Sequence, residues 1–327
     1  MAAVYAQEEF DSDVEEQGFA GLAGPSVRGP LVRADTQGAA DTQGAADAPY
    51  DLDAPYESGS PYKKTALRVS TMVITAHWGT AVNLDRLFEL VRPTLIPIWL
   101  PAEGILKFEH KKQVMGHCHK DIFTNRKSTA KAFFNQSTII VRRKLPQNTW
   151  KQVNIKLFGN GGIQMTGVMS EEFARETIEW LLEQIKLLPE SPFTAEPRIE
   201  RLSTQLINTD YMIDKFINQE ALHQILITEY NLFSMLEKTI YQGINTKFFY
   251  NTNNTNGVCC CTNFCKGQGT GDGDGQCKRI TISIFRTGRI IVTGARRLEQ
   301  IHVAYDFLNG VFDEYYDEIF YLPNTDA

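Results

Sequence analysis

Five of the six cysteines lie in one short glycine-rich segment, and four of them have a spacing suited to a metal ion. Cys259, Cys261, Cys265 and Cys277 form the pattern C-x-C-x3-C-x11-C. Four thiolates are a donor set of structural tetrahedral zinc sites, and a glycine-rich loop can close around an ion. The paired C-x-x-C of a zinc ribbon is missing, which leaves two interpretations open. One is a structural zinc site, and the other is a set of free thiols in an intracellular protein.

No residue pattern typical of catalysis accompanies these cysteines. The sequence has no glycine-rich loop between strand and helix, no nucleophile elbow and no His-Glu pair at metalloprotease spacing. Asp272 and Asp274 are similar to the start of a calcium-binding loop, but the glutamate required later in such a loop is missing. We therefore expect that the protein is not an enzyme.

Acidic and basic residues are distributed unevenly along the chain. Residues 1–62 contain twelve acids and two bases, whereas the remaining chain contains 27 acids and 31 bases. Residues 107–144 alone carry ten lysines and arginines against two acids. A basic folded part favours a polyanionic partner, and the alternative is a solvated charged loop.

One pattern occurs twice in the chain, 127 residues apart. Residues 153–167 and 280–294 align without a gap as a strand, a Phe-x-x-Gly turn, a second strand and a Thr-Gly end. Alternation at period two places the aliphatic residues of each first strand on one face of a sheet. The opposite face is polar and ends in Phe158 or Phe285.

The elements around this hairpin repeat as well. Each half begins with a strand, at 68–74 and at 201–207, and ends with a long amphipathic helix. Antiparallel strands with helices on one face predict an α+β fold built from two tandem repeats. The predicted segments are an acidic tail 1–65, a first repeat 66–190, a second repeat 191–320 with a cysteine-rich insert 251–278, and a C-terminal tail 321–327.

The N-terminal segment and the hydropathy of the chain give two further expectations. Residues 1–65 are acidic, rich in glycine and proline and short of aliphatic side chains, which predicts disorder. No apolar run approaches the roughly 20 residues of a membrane span, and the N-terminus lacks a signal sequence. We expect a soluble intracellular protein with no membrane partner.

These repeats resemble the TATA-binding protein family, and within it the TATA-binding-like transcription factors of large nucleocytoplasmic DNA viruses. The resemblance covers residues 66–320 and is most specific in the Ser-Ile-Phe-Arg-Thr-Gly-Arg stretch at 283–289, in Thr-Gly-Ala-Arg at 293–296 and in Ala-Tyr-Asp-Phe-Leu-Asn-Gly at 304–310. It implies a saddle with a curved antiparallel sheet, which lies in the DNA minor groove, and with helices on the convex face.

The resemblance also implies which residues bind DNA. Phe158 and Phe285 match phenylalanines that wedge between base steps, where an apolar ring replaces the lost stacking partner as the duplex kinks. Thr166 and Thr293 match positions that contact the floor of the groove. The basic residues expected to contact phosphates are Lys156, Arg286, Arg289 and Arg296.

Two features of the family are altered in this sequence. The family has a partner phenylalanine on the strand before each hairpin, but residues 98–104 contain none, and Trp99 or Leu100 is expected to substitute. Leu67 and Glu200 fall at or near the places of two asparagines that read the centre of the TATA element. Because a glutamate is unfavourable beside acceptor atoms, we expect a preference for AT-rich or divergent promoter elements rather than a standard TATA box.

The leading hypothesis is a transcription initiation factor that binds and bends AT-rich viral promoter DNA and helps recruit the viral RNA polymerase and a second initiation factor. The alternative is a saddle-fold scaffold of the transcription machinery without specific DNA binding. The expected location is intracellular, in a cytoplasmic viral factory or the host nucleus, with packaging in the virion as a further option.

Overall fold

The computed structural model describes residues 61–123, 135–145 and 148–321. The strands are β1 Arg68–His77, β2 Gly104–His110, β3 Gln113–Gly116, β4 Gln136–Lys144, β5 Trp150–Phe158, β6 Gly162–Val168, β7 Glu200–Met212, β8 Phe216–Ile217, β9 Phe233–Glu237, β10 Tyr241–Tyr250, β11 Lys278–Phe285, β12 Arg289–Ala295 and β13 Phe320–Tyr321. The helices are α1 Leu84–Leu90, α2 His119–Phe123, α3 Glu171–Lys186, α4 Gln219–Thr228, α5 Leu298–Glu314 and α6 Tyr316–Ile319.

Eleven of these strands form one antiparallel sheet. The strand order is β3-β2-β4-β5-β6-β1-β7-β12-β11-β10-β9, so β1 and β7 lie side by side in the middle. On either side of this pair, the strands of the first and second repeats follow in the same order. The short strand β3 extends the first half at its outer edge, and β8 and β13 form a separate two-stranded sheet.

The hairpin strands alternate between buried and partly exposed side chains, as the sequence predicts. Val153, Ile155 and Leu157 on β5 are 0% exposed, and so are Ile280 and Ile284 on β11. These side chains join residues of α3 and α5 in one hydrophobic core. The predicted α+β fold with two tandem repeats in an antiparallel sheet is therefore confirmed.

Each half ends with a long amphipathic helix, as the sequence predicts. In α3 the apolar stripe is buried at Ala174, Ile178 and Leu181. In α5 the stripe is buried from Ile301 onwards, whereas Leu298, the first helical residue, is 43% exposed.

Ser170 caps the N-terminus of α3, because its Oγ accepts a hydrogen bond of 3.1 Å from the amide of Phe173. We expect Ser170→Ala to lower the free energy of unfolding by about 1 kcal/mol, since one amide at the helix start loses its partner. Ser170→Asp should retain most of the stability, because a carboxylate accepts the same hydrogen bond. Urea denaturation of both variants measures the difference, and equal losses would contradict the capping role.

The predicted N-terminal tail ends earlier than the sequence indicated. Most of it lies outside the described residues, but Tyr62 is 3% exposed, and its hydroxyl is 3.0 Å from Oδ1 of Asn309 in α5. The amide of Thr65 donates to the carbonyl of Met212 at 2.8 Å. At the other end, Tyr321 was assigned to the C-terminal tail but belongs to β13. Contacts made by so few residues at the ends of the fold produce no periodic sequence pattern, so the sequence does not predict them.

Within the described ranges, the helices are all too short or too polar to cross a membrane.

Candidate nucleic-acid interface

Each strand of the large sheet directs alternate side chains away from the helical side, and we call the surface that they form the open face. Most of these side chains are polar and partly exposed. The open face runs across both repeats because the sheet is continuous through β1 and β7. From the first repeat to the second, its members include Phe158, Lys156, Asn154, Thr166, Thr71, Asn208, Asp210, Arg289, Thr293, Thr281, Lys247 and Phe285.

Phe158 and Phe285 each end the first strand of a hairpin, on the open face, and both rings are partly exposed. The turns that follow contain Gly161 and Gly288 with φ values of +92° and +83°. A Cβ at Gly288 would lie 2.4 Å from the carbonyl oxygen of Ile213, so this turn requires glycine. The tight turns therefore fix the two phenylalanines at equivalent places in the two repeats.

An aromatic partner packs against the phenylalanine of the second repeat. The ring centroids of Tyr241 and Phe285 are 5.5 Å apart, with the planes at 61°. Tyr241 begins β10, and Gly243, two residues later, pairs with Phe285 across the strands. Because a Cβ at Gly243 would come within 3.2 Å of the Phe285 ring, the glycine leaves room for this pair. The sequence had given no partner for the second repeat.

In the first repeat, the neighbour of the hairpin is β4. Gln136 of β4 pairs with Phe158, as Gly243 of β10 pairs with Phe285. The position two residues before Gln136, which would correspond to Tyr241, lies outside the described residues.

Trp99 and Leu100, the expected substitutes, belong to a different part of the sheet. They lie in a turn before β2, which pairs with β4 and is thus one strand further from the hairpin. Trp99 is 85% exposed. The expectation was wrong because it took β2 for the neighbour of the hairpin, whereas β4 occupies that place.

At the centre of the open face, an asparagine lies beside one of the predicted threonines. Thr293 Oγ1 donates a hydrogen bond to Asn208 Oδ1, and Asn208 also pairs with Thr71 across the β1–β7 seam. The resemblance predicts the central positions at Leu67 and Glu200, where the first strands begin. That placement was wrong because the long strand β7 and its bulges bring Asn208, eight residues further on, to the middle of the sheet.

The predicted contacts of the first repeat also lie on the open face. Thr166 on β6 is flanked by Val73 of β1 and Asn154 of β5. Lys156 on β5 pairs with Gln164 of β6 and is partly exposed. These residues therefore lie on the same face as Phe158.

Arg289 is held by a buried carboxylate. Asp210 is 2% exposed and accepts hydrogen bonds of 3.0 Å from Nη2 of Arg289 and 3.0 Å from Nη2 of Arg68. The three residues belong to β7, β12 and β1, so this cluster joins the two repeats at the centre of the open face. A phosphate approaching Arg289 would have to compete with Asp210.

Arg286 and Arg296 lie further from the open face than predicted. The guanidinium of Arg286 stands 5.4 Å from the ring centroid of Phe216 in β8, and its Nη1 donates to the hydroxyl of Tyr321 at 3.4 Å. The backbone amide of Arg296 donates to Oε1 of Gln300 at 3.0 Å, at the start of α5. Arg286 therefore faces the small two-stranded sheet, and Arg296 lies where β12 leads into α5.

Comparisons with known proteins give one sequence relative and one solved structure to report. No protein-family profile matches the chain. A protein of Acanthamoeba polyphaga mimivirus described as "TATA-box-binding protein-like" is 29% identical over 288 residues, which are 79% of this chain and 68% of that protein. The chain is thus similar in sequence to a viral protein described as TATA-box-binding-protein-like.

A solved structure, that of Methanococcus jannaschii TBP, aligns with 76% of this chain and 99% of its own length, with a TM-score of 0.40 and 13% sequence identity.

Lys247 adds a titratable cation to the open face. Its Nζ donates to Oγ1 of Thr281 at 3.0 Å, and Phe233 of β9 pairs with it on the other side. Burial and the positive charge of Arg279 lower the pKa of Lys247 to about 8. The side chain therefore gains or loses its charge close to neutral pH.

We expect DNA affinity to fall as the pH rises through this pKa, because only the protonated Lys247 attracts phosphate. At pH values above this pKa, Lys247 must take up a proton when DNA binds, and the dissociation constant should rise by up to about tenfold per pH unit. DNA-binding titrations at one pH unit below and one pH unit above the pKa, at fixed ionic strength, measure the effect. Lys247→Met should lose this pH dependence, and an unchanged dependence would place its origin elsewhere.

The four cysteines of the predicted metal site also come together. The sulfurs of Cys259, Cys261, Cys265 and Cys277 all lie within 4.8 Å of one another. The two carboxylates of the calcium-like pattern have other partners, since Asp274 accepts from the amide of Thr262 at 2.7 Å and Asp272 lies 3.2 Å from Nη2 of Arg297.

Proposed function

We propose that this chain is a transcription initiation factor that binds and bends promoter DNA through the minor groove, with the open face as the binding surface. The observation that carries the proposal is the mirrored arrangement of that face. Aromatic rings at Phe158 and Phe285 stand at equivalent positions in the two repeats, and hydroxyl and amide groups such as Thr293 and Asn208 lie between them. One continuous sheet supports all of them.

The chemistry of the face suits an AT-rich minor groove. Adenine N3 and thymine O2 are acceptors there, and threonine hydroxyls and an asparagine amide can donate to them. Pyrimidine–purine steps of such DNA unstack readily, and a ring inserted at each end of the site offsets the lost stacking. Lys156 and Lys247 supply positive charge for the phosphates.

The helical side of the sheet is proposed to meet the rest of the transcription machinery. DNA on the open face leaves the outer surfaces of α3 and α5 free for a viral RNA polymerase and a second initiation factor. Such a factor would act where viral transcripts are made, in a cytoplasmic factory or the host nucleus.

The test measures binding and bending together. Matched AT-rich and GC-rich duplexes, labelled with a fluorophore pair at their ends, are titrated with the full-length chain at one fixed salt concentration. We expect tighter binding to the AT-rich duplex and a shorter end-to-end distance in its complex. Equal affinity for both duplexes without a change of distance would reject this proposal in favour of the scaffold.

A further inference from the structure

We propose that Cys259, Cys261, Cys265 and Cys277 hold one structural Zn²⁺ ion in a closed shell of four thiolates. The inference stands independently of DNA binding, because it concerns how the insert between β10 and β11 is folded. It goes beyond the spacing of the cysteines, since that spacing was equally compatible with free thiols.

Two of the separations between sulfurs are close to the edge of a zinc tetrahedron. A Zn–S bond of about 2.3 Å gives sulfur–sulfur edges of about 3.8 Å. The distance is 3.4 Å from Cys261 Sγ to Cys277 Sγ and 3.8 Å from Cys277 Sγ to Cys259 Sγ. A disulfide requires about 2.0 Å, so the cluster has the dimensions of a metal site rather than of a bridge.

Hydrogen-bond donors face two of the four sulfurs. The amides of Gly267 and Cys277 hydrogen-bond the sulfur of Cys265, and Asn251 Nδ2 lies 3.6 Å from the sulfur of Cys277. Donors directed at sulfur reduce the repulsion among thiolates that share one ion. Because four protein ligands complete the tetrahedron, no position remains for water or substrate, and the site is structural rather than catalytic.

Another side chain organises the loop between the ligands. The carboxylate of Asp274 accepts from the amide of Thr262 at 2.7 Å, from its hydroxyl at 2.8 Å and from the amide of Asn263 at 3.1 Å. These contacts bind the segment between Cys261 and Cys265 to the segment just before Cys277. The ligands from the two ends of the insert are thereby held together.

The insert is fastened to helix α5 on one side of the cluster. Gln300 is 1% exposed, and its Nε2 donates to the carbonyl of Thr270 at 2.7 Å, while Nη2 of Arg297 donates to the same carbonyl at 3.1 Å. The zinc centre would therefore fix the start of α5 relative to the strands.

On its other side the insert reaches the open face. The carbonyl of Gly267 accepts from the amide of Arg279 at 2.6 Å, and a Cβ on this glycine would lie 2.7 Å from the ring of Phe249. Arg279 and Phe249 both belong to the open face. The cluster lies at the start of β11, whereas Phe285 ends that strand, so metal binding and the DNA wedge can be disturbed separately.

The experiment uses the full chain purified under reducing conditions, with zinc measured by elemental analysis. We expect one zinc ion per chain, and cobalt substitution should give the charge-transfer and d–d absorption of a tetrahedral thiolate site. Cys261→Ser and Cys277→Ser should weaken zinc binding by more than about a hundredfold, because losing a metal ligand lowers zinc affinity more than losing a residue that only hydrogen-bonds a ligand. Competition with a chromogenic chelator measures the affinity. Both should also lower the melting temperature.

Cys260→Ser is the matched control, because Cys260 lies between two ligands, is exposed and is not part of the cluster. This variant should keep stoichiometric zinc. Alkylation of the native wild type, followed by mass spectrometry, avoids dependence on variants that fail to fold, and should modify Cys260 but spare the four ligands. A disulfide between Cys261 and Cys277, iron in place of zinc, or uniform alkylation without bound metal would each overturn the proposal.

Discussion

Alanine at Phe158 and Phe285 is expected to abolish DNA bending while leaving the fold intact. Both rings are only partly buried and stand at the ends of hairpin strands whose opposite sides form the core. Removing them takes little from the core but removes the groups proposed to replace base stacking. Without that replacement, unstacking a base step costs a few kcal/mol that nothing offsets.

The expected size follows from the energy of stacking an aromatic ring on a base, about 1 to 3 kcal/mol. Each single variant should therefore weaken binding to the AT-rich duplex by about 5- to 150-fold. Energy transfer between the ends of the duplex should report an unbent complex for the double variant. Thermal denaturation checks that each variant remains folded.

Phe264→Ala provides the matched control. Phe264 is 85% exposed but belongs to the cysteine-rich insert rather than to the open face. Its removal should leave binding and bending unchanged. Undiminished bending by the Phe158→Ala/Phe285→Ala double variant would show that the hairpin phenylalanines do not act as wedges.

Much of the fold could be predicted from the sequence because its signals are periodic and occur twice. The aliphatic alternation of 153–157 and 280–284, the N-cap at Ser170 and the stripe of α3 each follow from local chemistry. The same applies to the cysteine cluster, since ligand spacing is local information. The positions of Phe158 and Phe285 on the face opposite the core likewise follow from the alternation of side chains along a strand.

The remaining parts of the site depend on strand register, which the sequence does not state. A bulge or an inserted strand shifts which residues are neighbours. The expectation for Trp99 failed because β4 lies between β2 and the hairpin. Tyr241 and Asn208 were overlooked for the same reason: their partners are distant in sequence, and a single tyrosine or asparagine carries no pattern.

Asp210 illustrates a further limit of prediction from the sequence. A single acidic residue in a strand gives no sign that it will be buried between two arginines. It lies on the proposed DNA surface, where a carboxylate repels phosphate, yet it pairs with Arg289 and Arg68 from the two repeats. We infer that it has two opposing effects. It stabilises the junction of the repeats, and it withholds positive charge from DNA.

Asp210→Asn should therefore lower stability and raise DNA affinity. Breaking a buried ion pair costs about 3 to 5 kcal/mol, and a smaller loss of about 2 to 3 kcal/mol is expected here because the arginine side chains remain 20% and 35% exposed. Urea denaturation measures this loss. If one released arginine reaches a phosphate, the slope of log affinity against log salt concentration should steepen by about 0.9.

Asp214→Asn separates these effects from a general change of charge. Asp214 follows β7 and is exposed, and its Oδ1 accepts from the amide of Lys63 at 2.9 Å. The Asp214→Asn substitution removes the same formal charge as Asp210→Asn. Because Asp214 is exposed, the free energy of unfolding should change by less than about 0.5 kcal/mol, and the salt slope of DNA binding should stay near that of the wild type. An unchanged salt slope in Asp210→Asn as well would show that neither arginine reaches the DNA. A steeper slope in Asp210→Asn alone would show that a buried carboxylate limits how tightly the open face binds.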